Sequence, residues 1–209
     1  MSKTYQQLID GNKAWRKRKA GQPNAFFDDM AAGQAPQTLF IGCADSRVHA
    51  NEITDAEAGS IFVHRNVANL VVQSDMNFLG VLNYAVAALQ VKNIVVCGHH
   101  GCGGVTAAMT NQDAGIVNHW IQPVKDVQKK YQSQLDGIDD QQEKVNRLVE
   151  FNAIEQVHNI SKIRFIQDAW QQHNFSIYGW AFSLRDGKVH ELDCTISGMD
   201  DVRPTNKWS

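Results

Sequence analysis

Two short stretches concentrate residue types that ligate metals or move protons: Cys43-Ala44-Asp45-Ser46-Arg47 and Gly98-His99-His100-Gly101-Cys102-Gly103-Gly104. Cys43, His99 and Cys102 make a two-sulfur, one-nitrogen set, a donor combination that suits zinc. Three protein ligands leave the fourth tetrahedral position open for water, which marks a catalytic rather than a structural site. The surrounding glycines let the backbone bend so that two residues three apart face one ion. By itself an H-x-x-C spacing is a weak signal, since a cysteine in a glycine-rich turn is more often a small buried residue. Asp45 and Arg47, read alone, fit a turn-capping ion pair better than a catalytic pair.

The elements around these stretches explain how they could meet. Thr38-Leu39-Phe40-Ile41, ending in Gly42, is a short apolar run that reads as a buried strand and delivers Cys43 at its end. Asn93-Ile94-Val95-Val96-Cys97 is another and runs into His99. Ser60 to His64, Phe175 to Leu184 and Lys188 to Asp193 complete the strands, the last two joined as a hairpin through Arg185-Asp186-Gly187. Helical periodicity is expected over residues 75–90, 116–131 and 141–160, and around Ile163, Ile166 and Trp170. The fold class is therefore α/β: a mostly parallel four-stranded central sheet with an added antiparallel edge strand and flanking helices. Open sheets of this kind build sites at the carboxyl ends of strands, where both stretches lie. Tyr5, Leu8, Ile9 and Trp15 form an amphipathic helix, followed by a Gly21-Gln22-Pro23-Asn24 break and an apolar Phe26-Phe27. One domain spanning 1–209 is expected: an N-terminal helical arm (1–33) packing on a partner subunit, an α/β core (34–196), and a loosely held tail (197–209).

The combination of motifs resembles the β-carbonic anhydrases. The likeness rests on Cys43-Ala44-Asp45-Ser46-Arg47 with His99-x-x-Cys102-Gly103-Gly104, on Phe62 through Asn69, on the helix containing Tyr84 and on Gly179-Trp180, and covers about residues 30 to 195. The resemblance implies reversible hydration of carbon dioxide to bicarbonate and a proton by zinc-bound hydroxide. It implies one zinc per chain held by Cys43, His99 and Cys102, and a catalytic pair of Asp45 and Arg47. Two thiolates and a neutral imidazole make a formally neutral centre, so a further group must help hold the hydroxide. Asp45 can accept its hydrogen bond, and the Arg47 fork can keep Asp45 ionised and turned away from the metal. By resemblance the carbon dioxide pocket is lined by Phe62, Val67, Tyr84 and Gly103, with Gln34 contributed across a subunit boundary; Phe62 and Val67 fit a plain core role equally well. A homo-oligomer, dimer or dimer of dimers, is implied.

Some resembled proteins bind bicarbonate at a second pocket built from Trp, Arg and Tyr. The matching positions here are Phe40, Arg65 and Phe182, so that pocket is expected to be lost and Arg65 to serve elsewhere, such as in an ion pair at the subunit boundary. The C-terminal segment is shorter than in many relatives, and part of their usual dimer contact is expected to be missing. A closed zinc site with Asp45 as fourth ligand, and an enzyme acting on another heterocumulene such as carbon disulfide, are the competing readings; Arg47 argues against the first.

Composition is ordinary for a soluble globular protein. The 209 residues are 43% hydrophobic and 20% charged, with a net charge of -2, enough to bury roughly 70% of the unfolded surface. Arg16-Lys17-Arg18-Lys19 is the one basic cluster and reads as a solvated helix face, so neither nucleic acid nor membrane is expected as a partner. There is no apolar leader and no span of 18 apolar residues. Four cysteines without a leader read as reduced thiols or metal ligands, which points to the cytoplasm. Cys97 and Cys194 are expected to be small buried hydrophobes, and no histidine other than His99 has ligand spacing.

Overall fold

A computed structural model describes residues 3–21 and 26–208. It divides into two compact units, 1–35 and 36–209. The first holds α1 (Tyr5–Ala20) and α2 (Phe26–Ala32). Thr4 opens α1 with a reciprocal cap: its hydroxyl accepts from the Gln7 N–H while the Gln7 side chain accepts from the Thr4 N–H. Lys17, Arg18 and Lys19 fill the last turn, where cations complement the helix dipole. Trp15 meets Phe26 and Phe27 edge-on, with centroids 5.9 and 5.6 Å away. Tyr5 and Leu8 stay 79% and 56% exposed. Of the expected break at 21–24, residues 22–24 lie outside the described residues.

The second unit contains, in order, β1 (Thr38–Cys43), α3 (Ala50–Ile53), β2 (Ile61–Asn66), α4 (Met76–Asn83), β3 (Asn93–His99), α5 (Gly103–Thr110), α6 (Val117–Trp120), α7 (Gln122–Lys130), α8 (Gln132–Asp136), α9 (Gln141–Ser161), α10 (Arg164–Ala169), β4 (Ser176–Phe182) and β5 (Val189–Ile196). The sheet order is β2-β1-β3-β4-β5, parallel except for the antiparallel β4–β5 pair. β1 and β3 are buried along nearly their whole length, which is why they read as unbroken apolar runs rather than alternating ones. From β1 the chain crosses one way to β2 and then back to β3 on the other side, so the strand order reverses between β1 and β3. A crevice opens at such a switch point, outside the carboxyl ends. Cys43 and His99 stand at its two lips.

One face of the sheet carries the main core, with Leu39, Ile41, Ile94 and Val96 packed against Phe78, Leu82, Val157 and Ile160. The other face carries a smaller cluster of Phe40, Val95, Cys97 and Phe182 over Val48 and Ala50. Two helical stretches differ in detail from their periodicity. Residues 117–130 break at Ile121, because Pro123 sits in the first turn of a new helix, where its missing N–H costs nothing. The helix after Asp75 loosens into a wider turn at Tyr84–Ala88.

The tail after Ser197 is held, contrary to expectation. Val202 is 1% exposed, Gln167 donates to the Asn206 carbonyl and accepts from the Trp208 N–H, and the Trp208 indole donates to Lys162 O at 2.6 Å. Arg203 also reaches Glu155, which accepts from Lys130 at 2.6 Å and from the Tyr131 hydroxyl at 2.8 Å. Beside this group lies His158, whose imidazole burial and the Arg203 charge push from 6.5 down to about 4. The unfolded chain therefore takes this proton first, and the contribution to stability is complete above about pH 6.5 and lost as pH falls toward 4. His64 and His173 are lowered in the same sense. His158→Gln is expected to reduce the acid-side slope of melting temperature against pH, and an unchanged slope would refute this assignment.

Candidate metal centre

Parallel pairing sets Gly42 level with Cys97, so the ends of β1 and β3 bring Cys43 beside His99. The chain then turns through Gly101, whose φ of +70° suits glycine, and returns Cys102 to the same point at the head of α5. One ligand atom from each of Cys43, His99 and Cys102 lies within 4.8 Å of the others, and all three residues are buried. The two sulfurs are 3.9 Å apart. The hydrogen bond between them lowers the pKa of Cys43, while the same contact and burial raise that of Cys102.

His99 supplies the test of fit for a metal. Its Nδ1 lies 3.2 Å from the His100 carbonyl, which assigns the proton to Nδ1 and leaves a lone pair on Nε2. That Nε2 is buried and has no hydrogen-bond partner. A buried nitrogen with nothing to bond is costly, and with the two sulfurs facing it this one forms a mixed nitrogen and thiolate donor set that suits a soft or borderline metal ion, zinc among them. The residues fit the group.

Asp45 stands at the rim. Its Oδ1 accepts from the Arg47 backbone N–H and Nε, both at 2.9 Å, and its Oδ2 accepts from Nη2 at 2.7 Å. These hydrogen bonds from Arg47 hold the carboxyl well below the usual carboxylate range. Oδ2 also lies 3.7 Å from His99 Nε2, so the carboxylate is gripped by Arg47 while one oxygen still faces the centre. Arg65 makes no ion pair among the described residues. Its Nε donates to Cys43 O at 2.8 Å and its Nη2 to Asp45 O at 2.5 Å, tying down the loop that carries both. This role was not legible in the sequence.

The expected pocket residues separate. Gly103 heads α5, and a side chain there would meet nothing within 4 Å. Val67 follows β2 and packs in the cluster containing Cys43 and Cys102. Phe62 pairs with Leu39, four residues before Cys43, or about 13 Å back along the strand. Tyr84 lies with Phe62, ring centroids 5.8 Å apart, and is 49% exposed. Gln34 belongs to the N-terminal unit and is exposed there. Within one chain, Val67 and Gly103 border the centre while Phe62 and Tyr84 do not.

Sequence reasoning missed the segment after β2. Ala68 and Asn69 both adopt left-handed backbone, with φ of 64° and 48°, a conformation costing roughly 1–2 kcal/mol for each non-glycine residue. Cys97 and Cys194 are buried as expected, with burial pushing their thiols up to about 12 and about 11. His100 turns aside to Glu150, 3.2 Å away.

A parallel-sheet crevice with a buried Cys-His-Cys triad and a guarded carboxylate defines a metal-dependent enzyme centre of the α/β class. The sequence pattern of the family described as carbonic anhydrase matches residues 38–189. A carbonic anhydrase of Emericella nidulans is 44% identical over 200 residues, covering 95% of this chain and 88% of that protein. A solved structure from Sordaria macrospora, described as one of two tetrameric β-carbonic anhydrases, superposes with a TM-score of 0.89 at 36% identity, covering 92% of this chain and 98% of that one. The β-carbonic anhydrase of Coccomyxa, solved with acetazolamide, gives 0.89 at 35% identity, covering 96% and 91%. The chain belongs to the β-class carbonic anhydrase family.

Proposed function

We propose that this chain hydrates carbon dioxide reversibly to bicarbonate and a proton at a zinc centre held by Cys43, His99 and Cys102, with Asp45 and Arg47 as its catalytic pair. The observation that carries the reading is the partnerless, buried His99 Nε2 turned toward two sulfurs. Zinc would supply the Lewis acidity that lets water ionise near neutral pH. The chain's own residues do the rest. Asp45 Oδ2 is the acceptor that fixes the direction of the nucleophile's O–H, and so aims its lone pair at the carbon. Arg47 keeps that carboxylate charged and, by occupying both oxygens, keeps it from closing the site as a fourth ligand. Val67 and the open space at Gly103 offer an apolar wall to a substrate with almost no hydrogen-bonding capacity.

Phe62 stands too far back along β2 to wall the centre of its own chain, and Tyr84 packs against it, so their part in the pocket requires a second copy. β2 is an edge strand with Val63 37% exposed, which suits such a contact, and the Sordaria relative is tetrameric. We therefore read the active form as a homodimer or a dimer of dimers. No described helix is long and apolar enough to cross a membrane, and the four cysteines are free, which supports a reducing, cytoplasmic setting. The test is stopped-flow hydration of carbon dioxide by protein with its metal content measured, before and after a zinc chelator. Activity that survives complete metal removal overturns the reading.

The second bicarbonate pocket is expected to be missing. Phe40 and Phe182 are packed in a dry cluster with Cys97 and Val95, and Arg65 spends Nε and Nη2 on loop carbonyls. An anion there would need donors that neither ring can give, each worth about 1.5–3 kcal/mol to a charged ligand. Bicarbonate should inhibit hydration hyperbolically, as a product. Sigmoidal inhibition, with an anion seated against Arg65 in a soaked crystal, would sink this prediction.

A further inference from the structure

We propose that Trp120 is a positioning residue for the metal centre: its indole N–H fixes the Val67–Ala68 peptide so that the other end of that peptide, the Ala68 N–H, donates to the Cys43 sulfur. This rests on the reading of Cys43, His99 and Cys102 as metal ligands.

The two hydrogen bonds belong to one rigid plane. A peptide unit cannot turn its C=O without turning its N–H. The Trp120 Nε1–H donates to the Val67 carbonyl at 2.8 Å, and the N–H on the opposite edge of that plane belongs to Ala68, which is buried in the same cluster as Cys43 and Cys102. The following residues are left-handed, Ala68 and Asn69 in succession, and non-glycine backbone stays in that region only when its surroundings over-determine it. They do so here. Asn152, fully buried, donates to the Ala68 carbonyl at 3.0 Å, and Gln156 donates to Asn152 while accepting from the Val71 N–H. Asn66 clasps Leu70 by both its N–H and its C=O. Gly104 completes the fit, since a Cβ there would come within 2.8 Å of Val67 Cγ1.

An N–H donated to a thiolate draws electron density from the sulfur, leaving it a weaker donor to its metal and the metal a stronger Lewis acid. Trp120 thus acts on the reaction through a peptide and a ligand, without touching substrate. Its location in a separate short helix, 53 residues from Val67, explains why no motif includes it.

The experiment uses cobalt(II)-loaded protein and two variants that separate donor from bulk. Trp120→Phe removes the N–H and keeps most of the ring. Trp120→His sacrifices more volume, yet its Nε2–H overlays the indole nitrogen. In Trp120→Phe the sulfur-to-cobalt charge-transfer band is expected to move to lower energy, and kcat of the zinc enzyme to fall roughly tenfold, the usual scale for losing an outer partner of a metal ligand. KM should stay within about twofold, as expected when uniform substrate binding is untouched. Trp120→His is expected to hold the band at its wild-type position and to be the more active of the two. In wild-type protein loaded with cadmium-113, a scalar coupling between the metal and the Ala68 amide proton reports the same bond without any substitution. A wild-type cobalt protein lacking the sulfur band would overturn the metal reading and this proposal with it. A wild-type band that is present but unmoved in Trp120→Phe, an equal shift in both variants, or no cadmium coupling at Ala68 would overturn the proposal alone.

Discussion

Exchange of Cys102 for Ser is expected to yield a folded protein that holds no zinc and hydrates carbon dioxide at the background rate. Cys102 is 1% exposed, so its sulfur has little to do except pack and ligate, and serine is small enough to keep the packing. The hydroxyl cannot ionise near neutral pH, which removes one of two anionic donors from a three-ligand set. The remaining Cys43 and His99 make a two-point site with no enforced geometry. Protons compete for the same atoms, so even the wild-type protein should release metal as pH falls. Cys97→Ser is the control, because that sulfur sits in mid-strand in the opposite cluster. Metal analysis should give about one zinc per chain for wild type and for Cys97→Ser, and none for Cys102→Ser. A fully active Cys102→Ser protein without metal would end the reading.

The centre was legible in the sequence because each ligand terminates a strand or begins the next helix. Cys43 closes an apolar run and His99 follows another, and the parallel-sheet rule places such ends side by side. The hairpin of β4 and β5 was equally plain from Arg185-Asp186-Gly187. What could not be read was anything fixed by contacts distant in the chain. Ala68 and Asn69 carry no glycine to announce their left-handed backbone. The hydrogen bonds that force it come from Trp120 and Asn152. Arg65 looked free for a subunit contact, since its carbonyl partners lie 20 and 22 residues away across a strand pair. The held tail depends on Gln167 and Lys162, which no local pattern connects to Trp208. The break at Ile121 is different, because Pro123 announced it and periodicity outweighed the warning.

Asp45→Asn is the sharper test of mechanism, because it leaves the metal set alone. The wild-type carboxylate accepts at both oxygens from Arg47, and Oδ2 also faces the centre. An amide cannot reproduce this. If Asn turns its oxygen toward the Arg47 backbone N–H and Nε, its NH2 takes the place of Oδ2, opposing the Nη2 donor and presenting a donor to the nucleophile where an acceptor is required. If it flips, the oxygen meets Nη2 but the NH2 then opposes two donors. Either way the oriented acceptor is lost or the grip of Arg47 is broken. Zinc content should remain near one per chain, whereas a transition-state interaction of about 3 kcal/mol is removed, a fall of roughly a hundredfold in kcat. KM should change little, because the interaction removed is one made in the transition state rather than in substrate binding. Stopped-flow rates on protein of measured zinc content decide the matter. Near-normal turnover in zinc-loaded Asp45→Asn would leave Asp45 as a loop-ordering residue, and the orientation of the nucleophile would have to be sought elsewhere in the crevice.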